Sequence, residues 1–367
     1  MPIDARPETV PEIVPETKMI GVLGGGQLGR MTIEAASALG YRCHVFAPSG
    51  DAPATDIASL STRADYHDTE ALAGFAKSVS AVVCEFENVP VTAMDILAEH
   101  VPVCPGSKAL GIAQHRLSEK NMAQSIGIAT PRYIAINNQA DLTHAMTDFD
   151  AAILKTCRMG YDGKGQMRLT ADNLADDSFA QMGSDDLILE ELVDFTAEAS
   201  FLVARDQHGQ MTTWPASINQ HRGGILHISE APAPADILPP ECERQGIAAV
   251  KAIAEELDLT GVLAVEMFIT TSGQLLFNEI APRPHNSFHW TIEGAETSQF
   301  SQLVRIAAGL PLGSTAAYNR WRMTNILGQD MPELDAAFAR PGVHIHRYGK
   351  AEARTGRKMA HLNEQID

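Results

Sequence analysis

Short apolar runs alternate with helical repeats over the first part of the chain. MIGVLG ends in glycines and is followed by QLGRMTIEAASALG, in which Leu28, Met31, Ala35 and Leu39 recur at helical spacing before Gly40, so the pattern predicts strand, glycine turn, helix. YRCHVFAP and VSAVVCEF are further candidates for buried strands, separated by helical or loop sequence in the alternation of a parallel sheet. After the helical RLSEKNMAQSIG the pattern changes. ATPRYIAI is extended, and AAILKT predicts a strand running into the glycine-bearing loop CRMGYDGKGQ. DLILEEL, TAEASFLVARD and MTTWPASIN predict antiparallel strands, and a helix is predicted within ECERQGIAAVKAIAEELD. VLAVEMFITTSGQLLFNEIAP predicts a hairpin around Ser272 and Gly273. The expected organisation is an extended leader at 1–17, an α/β domain at 18–115, an α+β unit at 116–310 and a small C-terminal domain at 311–367.

Composition narrows the class. The leader carries Pro2, Pro7, Pro11 and Pro15 among four acids and is expected to lie outside the fold. The remainder, within a chain of 367 residues that is 45% hydrophobic and 20% charged, is long enough for two or three globular units. A formal charge of −18 repels nucleic acid and anionic lipid, so neither is expected as a partner, and any anionic ligand must meet a local basic patch. No apolar run approaches the roughly 18 residues of a membrane helix, which predicts a cytoplasmic protein. The five cysteines are widely spaced and never form CxxC, so neither structural zinc nor a disulfide framework is expected.

Four patterns carry candidate chemistry. Gly24, Gly26 and Gly29 form GxGxxG between a predicted strand and helix, which suits a dinucleotide, another phosphate, or a tight turn alone. The dinucleotide reading fails on its second requirement, because YRCHVFAP ends in Ala47 and Pro48, and Asp51 comes too late to hold a ribose. In the hairpin, a two-residue Ser272-Gly273 turn sets Glu266 opposite Glu279, and two facing carboxylates call for a cation such as magnesium carrying phosphates. A three-residue loop or a bulge would shift that register, and two acids on a solvated face are the alternative. Lys155 followed by GYDGKGQ places a cation beside an amide-rich loop suited to a triphosphate, though it is no Walker motif and an ordinary hairpin loop is equally consistent. Finally, Arg347, Lys350, Arg354, Arg357 and Lys358 stand against Glu352 alone, either as a solvated basic tail or as an anion pocket. His285 and His289 lie four apart, but Pro282 and Pro284 precede them and no HExxH acid is present, so His289 reads as structural.

Taken together, LKTCRMGYDGKGQ, LEELVDFTAEAS, GVLAVEMFIT with LLFNEIAPRPHNSFHWT, and RYGKAEARTGRKMAHLN resemble the ATP-grasp superfamily, and within it the N5-carboxyaminoimidazole ribonucleotide synthetases of purine biosynthesis. GVLGGGQLGRM and FENVP at 86–90 extend the resemblance over nearly everything after the leader. The leader itself and Phe288, where related enzymes often carry a small residue, depart from the pattern without removing a chemical group.

The resemblance implies a mixed α/β and α+β ATP-grasp fold, with 18–115 as a parallel-sheet pre-ATP-grasp domain and 116–310 as two subdomains clamping ATP. It implies ATP-dependent carboxylation of 5-aminoimidazole ribonucleotide by bicarbonate through carboxyphosphate, with Mg²⁺ and without biotin, in a homodimer. Around ATP it places Arg116, Lys155, the loop Gly160, Tyr161, Asp162, Gly163, Lys164, Gly165 and Gln166, the adenine segment Glu190, Glu191, Leu192 and Val193, then Glu198 at the ribose, and His221. Glu266 and Glu279 would hold magnesium, with Asn278 beside them. Arg283, His285 and Asn286 would surround bicarbonate as catalytic groups, Arg283 through its planar fork. Lys350 and Arg357 would hold the ribonucleotide 5′-phosphate, with Gln27, Leu28 and Tyr161 completing the pocket. A formate-dependent glycinamide ribonucleotide ligase of the same superfamily and a non-catalytic nucleotide-binding regulator are the alternatives.

Overall fold

The computed structural model describes residues 13–15, 18–160 and 165–366. The rest of the leader and the loop residues Tyr161, Asp162, Gly163 and Lys164 lie outside the described residues.

The first unit is a five-stranded parallel sheet formed by the apolar runs, β1 (Met19–Leu23), β2 (Arg42–Ala47), β3 (Leu60–Arg63), β4 (Ala81–Cys84) and β5 (Val103–Cys104). Its order is β3-β2-β1-β4-β5. The middle strands are buried on both faces, which is why they read as continuous apolar runs. β2 lies on one side of β1 and β4 on the other, so the strand order reverses at the carboxyl end of β1. In open α/β sheets that point opens a ligand crevice.

A second sheet, antiparallel, contains β6 (Tyr133–Ile136), β7 (Ala151–Thr156), β8 (Gln166–Thr170) and β9 (Leu187–Glu191) in the order β6-β9-β7-β8. The third comprises β10 (Phe195–Arg205), β11 (Met211–Thr213), β12 (Ser217–Arg222), β13 (Ile225–Ala231), β14 (Gly261–Thr270), β15 (Leu275–Ala281), β16 (Trp321–Leu327), β17 (Val343–Arg347) and β18 (Lys358–Gln365). Its path is β15-β14-β10-β12-β13-β16-β18-β17, with β11 on β10. The C-terminal strands therefore extend this sheet through β13–β16 pairing rather than forming their own. That continuity carries the basic segment 347–358 to the mouth of the crevice.

Two expectations need correction. The leader does not lie wholly outside the fold: the Val14 amide donates to Ala308 O at 3.0 Å, Tyr41 donates to Val14 O at 3.1 Å, and Val14 packs against the main core. Those contacts offset the chain entropy that a proline-rich composition otherwise leaves unopposed. The β14–β15 hairpin, moreover, closes through a three-residue loop, with the Thr270 amide bonded to Gln274 O and the Gly273 amide to Thr270 O, both at 2.9 Å. Gly273 takes φ +79°, the left-handed conformation this loop requires. Pairing starts one residue out of the two-residue register, Met267 facing Phe277, and a bulge at Asn278 then restores it, so that Glu266 does face Glu279. Phe277 and Ile280 both enter the core, leaving Asn278 and Glu279 together on the partly exposed side.

Candidate active site

At the reversal point lies a cavity of about 730 Å³, bounded by the first sheet's loops, the β14–β15 hairpin and the C-terminal segment. The first glycine loop forms one wall. Its Gly26 amide, at the start of helix Gln27–Ala38, donates to Glu85 Oε1 at 2.6 Å. A Cβ on Gly24, which has φ +116°, would sit 2.6 Å from the same oxygen. The loop's glycines thus make room for a carboxylate of the chain itself, and burial pushes the Glu85 carboxyl above its ordinary range despite that amide bond. Gln27 and Leu28 line the cavity with Lys350 and Arg357.

The hairpin carboxylates are Glu279, with a side chain 40% exposed, and Glu266, at 14%. Glu279 lines the cavity and accepts from Arg116 Nη1 at 2.9 Å, while Arg116 Nη2 donates to Gly160 O at 3.0 Å. Burial raises both acids, and Glu266, further charged against by Glu279, is pushed up to about 7. For Glu279 the Arg116 guanidinium outweighs burial and holds the carboxyl below its usual range. Glu266 accepts from Ser200 Oγ at 3.4 Å, and His285 Nε2 stands 3.7 Å from it. Two register-paired carboxylates, one raised by the other, form the hard-oxygen donor set that suits Mg²⁺.

Across the second sheet, Lys155 Nζ donates to the buried Glu190 Oε2 at 2.8 Å, with Lys120 Nζ at 3.5 Å from the same oxygen. Burial alone would raise Glu190, yet the two ammonium groups hold it down at about 2. Its other oxygen, Oε1, is buried without a hydrogen-bond partner among the described residues. In the neighbouring segment the Glu191 and Leu192 amides are taken by Arg132 O and Ala151 O. Glu198 and His221 form an ion pair between β10 and β12, which outweighs burial and raises the imidazole above its ordinary range. The Thr156 amide donates to Gly165 O at 2.9 Å, closing the base of the second glycine loop beside Gln166. Lys155, Glu190, Glu198, His221 and Glu266 do not line this cavity.

The loop after β15 returns to the cavity. Arg283 directs Nε, at 3.0 Å, and Nη2 to Glu87 Oε2. His285 donates its amide to Gln299 Oε1 at 2.7 Å, and Ser287 Oγ lies 2.7 Å from its Nδ1. Burial, followed by Arg283, drives this imidazole well below its ordinary pKa, so it is neutral. Asn286 is 8% exposed, and both of its amide atoms are buried without partners among the described residues. At the opposite wall Arg357 Nη2 donates to Asp51 Oδ2 at 2.6 Å, and the Ala351 amide reaches the same oxygen at 3.1 Å. Lys350 donates to Lys358 O at 2.7 Å. Burial, then Arg357 and Lys358, lowers its ammonium to about 8.

Cavity groups that sequence reasoning missed are mostly the carboxylate partners, Glu85, Glu87 and Asp51. Glu87 lies within the FENVP segment, and Asp51 had been weighed only as a ribose ligand. Glu119 and Lys120 were also missed. Helix Arg116–Ser125 buries both, Glu119 accepting from the Ile280 amide at 3.0 Å and Lys120 donating to Phe277 O at 3.2 Å. His289, 1% exposed, meets Gln299 Nε2 at 3.0 Å through Nδ1.

Comparison with known proteins gives a consistent picture. An ATP-grasp domain model matches residues 121–300, a ribonucleotide synthetase preATP-grasp domain residues 17–114, and a phosphoribosylaminoimidazole carboxylase C-terminal domain residues 322–364. The chain is 40% identical over 346 residues to the N5-carboxyaminoimidazole ribonucleotide synthase of Brucella melitensis, covering 94% of this chain and 95% of that protein. It is 42% identical to the Pseudomonas aeruginosa synthase, covering 93% of each. It also spans 37% of a bifunctional purine synthesis protein of Dictyostelium discoideum at 39% identity. Among solved structures, an ADP complex of an N5-carboxyaminoimidazole ribonucleotide synthetase superposes with TM-score 0.92 at 38% identity, covering 98% of this chain and 95% of that one. The Aspergillus clavatus synthase in complex with ADP and 5-aminoimidazole ribonucleotide superposes with TM-score 0.87 at 26% identity, covering 95% and 94%.

Proposed function

The chain belongs to the N5-carboxyaminoimidazole ribonucleotide synthase family, and from that membership we propose how its own residues divide the family's reaction. The enzyme is an ATP-dependent carbon–nitrogen ligase. It joins bicarbonate to the exocyclic amine of 5-aminoimidazole ribonucleotide, releasing ADP and phosphate. Bicarbonate is a poor electrophile, so ATP first phosphorylates it to carboxyphosphate. The amine then attacks the carboxyl carbon, phosphate departs, and the nitrogen loses a proton.

The observation that carries the assignment of roles is the convergence of Arg116, Glu279, Arg283, His285, Asn286, Lys350 and Arg357 on one cavity. Arg283 holds the bicarbonate oxyanion through the fork now engaged by Glu87, and an exchange of carboxylate for oxyanion leaves that guanidinium paired throughout. His285 remains neutral. The Ser287 amide approaches its Nδ1 at 3.4 Å, which favours the proton on Nε2, where it can donate to a developing charge. Asn286 supplies an amide whose hydrogen-bonding capacity the fold leaves unused. Lys155, fixed by Glu190, which Lys120 also pairs, serves the nucleotide phosphates, and Glu198 with His221 the ribose. Gly160 and Gln166, with the loop between them, would serve the phosphates, and Val193 would offer its amide to adenine beside Glu190, Glu191 and Leu192. Lys350 and Arg357 bind the 5′-phosphate, with Gln27 and Leu28 lining the same cavity, and by the family pattern Tyr161 would complete the pocket. Carboxyphosphate hydrolyses readily, so a cavity that surrounds it with protein donors preserves it for the amine.

Glu266 and Glu279, with Asn278 beside them, would hold Mg²⁺, which when bound neutralises the charge of the transferring phosphoryl group. We further propose a homodimer acting in the cytoplasm; among the described residues no helix is long and apolar enough to cross a membrane. Phosphate release with each combination of ATP, bicarbonate, formate, 5-aminoimidazole ribonucleotide and glycinamide ribonucleotide tests the reading. Release should require ATP, bicarbonate and aminoimidazole ribonucleotide together for carbamate formation. Formate-dependent turnover with glycinamide ribonucleotide would overturn it.

A further inference from the structure

Three donors of different kinds converge at the base of the second glycine loop. His115 precedes helix Arg116–Ser125, Cys157 follows β7, and Asp186 precedes β9. His115 Nε2 is 3.0 Å from Asp186 Oδ2, the Cys157 thiol hydrogen-bonds the same carboxylate, and the three ligand atoms all lie within 4.8 Å of one another. Ligands at about 2.0–2.3 Å around a tetrahedral ion stand roughly 3.3–3.8 Å apart, so modest side-chain rotation closes this set on one centre.

The backbone fixes the three positions, since the Cys157 amide donates to Asp186 O and the Arg116 amide to Cys157 O, both at 2.9 Å. His115 Nδ1 accepts the Ser118 amide at 3.2 Å, which places the ring proton on Nε2 toward Asp186, so ligation by Nε2 requires that proton to move to Nδ1, where Ser118 Oγ, also at 3.2 Å, can accept it. The group is reached through Asp186 and the cavity, Cys157 itself being buried. The Asp186 side chain is 45% exposed, and Cys157 lines the large cavity. A cation already approaches the carboxylate, Arg158 Nε at 3.8 Å, but that side chain is 57% exposed and readily displaced.

We propose that His115, Cys157 and Asp186 form a binding site for one thiophilic divalent cation such as zinc, distinct from the magnesium pair Glu266 and Glu279. A sulfur, an imidazole nitrogen and one carboxylate select zinc-like ions, whereas two carboxylates select hard ions, so both sites can be filled at once. Coordination deprotonates the thiol and gives its proton to solvent. A water completes the tetrahedron on the cavity side. The bound ion would join the start of helix Arg116–Ser125, the end of β7 and the approach to β9.

Zinc is titrated into the full-length protein in a large excess of Mg²⁺, retained metal is counted after gel filtration, and cobalt is used to read the thiolate-to-metal absorption band. The site predicts one retained equivalent and a cobalt–thiolate band. Cys157→Ser should abolish the band and weaken zinc at least about tenfold, and Asp186→Asn or His115→Asn should also weaken it. His115→Asn keeps a helix-capping side chain while removing the imidazole, so it serves where Cys157→Ser fails to fold. The absence of a stoichiometric ion, unchanged affinity in these variants, or loss of the ion in Glu279→Gln instead would each overturn the proposal.

Discussion

Replacing Arg283 by lysine keeps the charge and removes the planar fork, which separates geometry from net electrostatics. In the structure Arg283 gives Nε and Nη2 to Glu87 and its third nitrogen, Nη1, to Pro284 O at 3.2 Å, so the guanidinium satisfies two directions at once. An ammonium cannot reproduce the paired donors. Losing one charge-assisted hydrogen bond costs about 1.5–3 kcal/mol, or roughly 10- to 150-fold in retention of the bound oxyanion. Carboxyphosphate held that much more weakly should escape to water before the amine attacks. The assay measures ADP and carbamate together in Arg283→Lys, trapping the carbamate before it decarboxylates. ADP should exceed carbamate, and the excess should depend on bicarbonate. If the two products stay one to one, at the wild-type rate or uniformly slowed, Arg283 does not guard the intermediate.

Glu279→Gln removes the charge proposed to face the metal and the Arg116 partner together, and should cost on the order of 10²-fold or more in turnover with the circular dichroism spectrum unchanged; near-normal ATP turnover at limiting magnesium would refute the assignment. Lys350→Ala and Arg357→Ala should each raise the KM for aminoimidazole ribonucleotide roughly 10- to 150-fold and leave that for ATP unchanged; equal effects on both substrates would refute a phosphate role. Because burial and the neighbouring Arg357 and Lys358 bring Lys350 down to about 8, the free enzyme loses that charge as pH rises through 8. The kcat/KM for the ribonucleotide should then fall by up to about tenfold per pH unit above that point. Lys350→Arg should remove the break, and an identical profile in that variant would assign the titration to another group.

Elements were legible wherever local pattern and tertiary burial agree. β1, β2 and β4 are buried on both faces and therefore appear as apolar runs, and helix Gln27–Ala38 repeats its apolar residues at helical spacing. The Glu266–Glu279 pairing was legible for a less secure reason: a three-residue loop and the Asn278 bulge shift the register in opposite senses and cancel. Nothing in the letters TTSGQ distinguishes the two-residue turn from the longer one. Lys120 and Glu119 were invisible because a charged residue in an amphipathic helix is ordinarily assigned to solvent. Here helix Arg116–Ser125 buries these two while Asn121, Gln124 and Ser125 stay exposed, and the two charges are 1% and 3% exposed.

The carboxylates facing the cavity were hidden for a different reason, and they bear on how an acidic protein binds anions. Arg283 meets Glu87 across 196 residues of sequence, Arg116 meets Glu279 across 163, and Arg357 meets Asp51 across 306. Such pairs have no local periodicity to betray them. Each joins different parts of the fold through the cavity: the β15 loop to the β4 loop, the helix at 116–125 to β15, and the C-terminal segment to the β2 loop. An unpaired cation in so enclosed a place would cost several kcal/mol, which the paired carboxylate offsets. The cavity consequently presents its arginines already paired with carboxylates of the chain. On the proposed assignment, a phosphate or bicarbonate would gain affinity by taking over hydrogen bonds from a carboxylate, which rewards the oxyanion with the better geometry over any anion that is merely present. On that same assignment, selectivity rests on donor direction, set by the fork of Arg283 and the Asp51-oriented Arg357 more than by net charge.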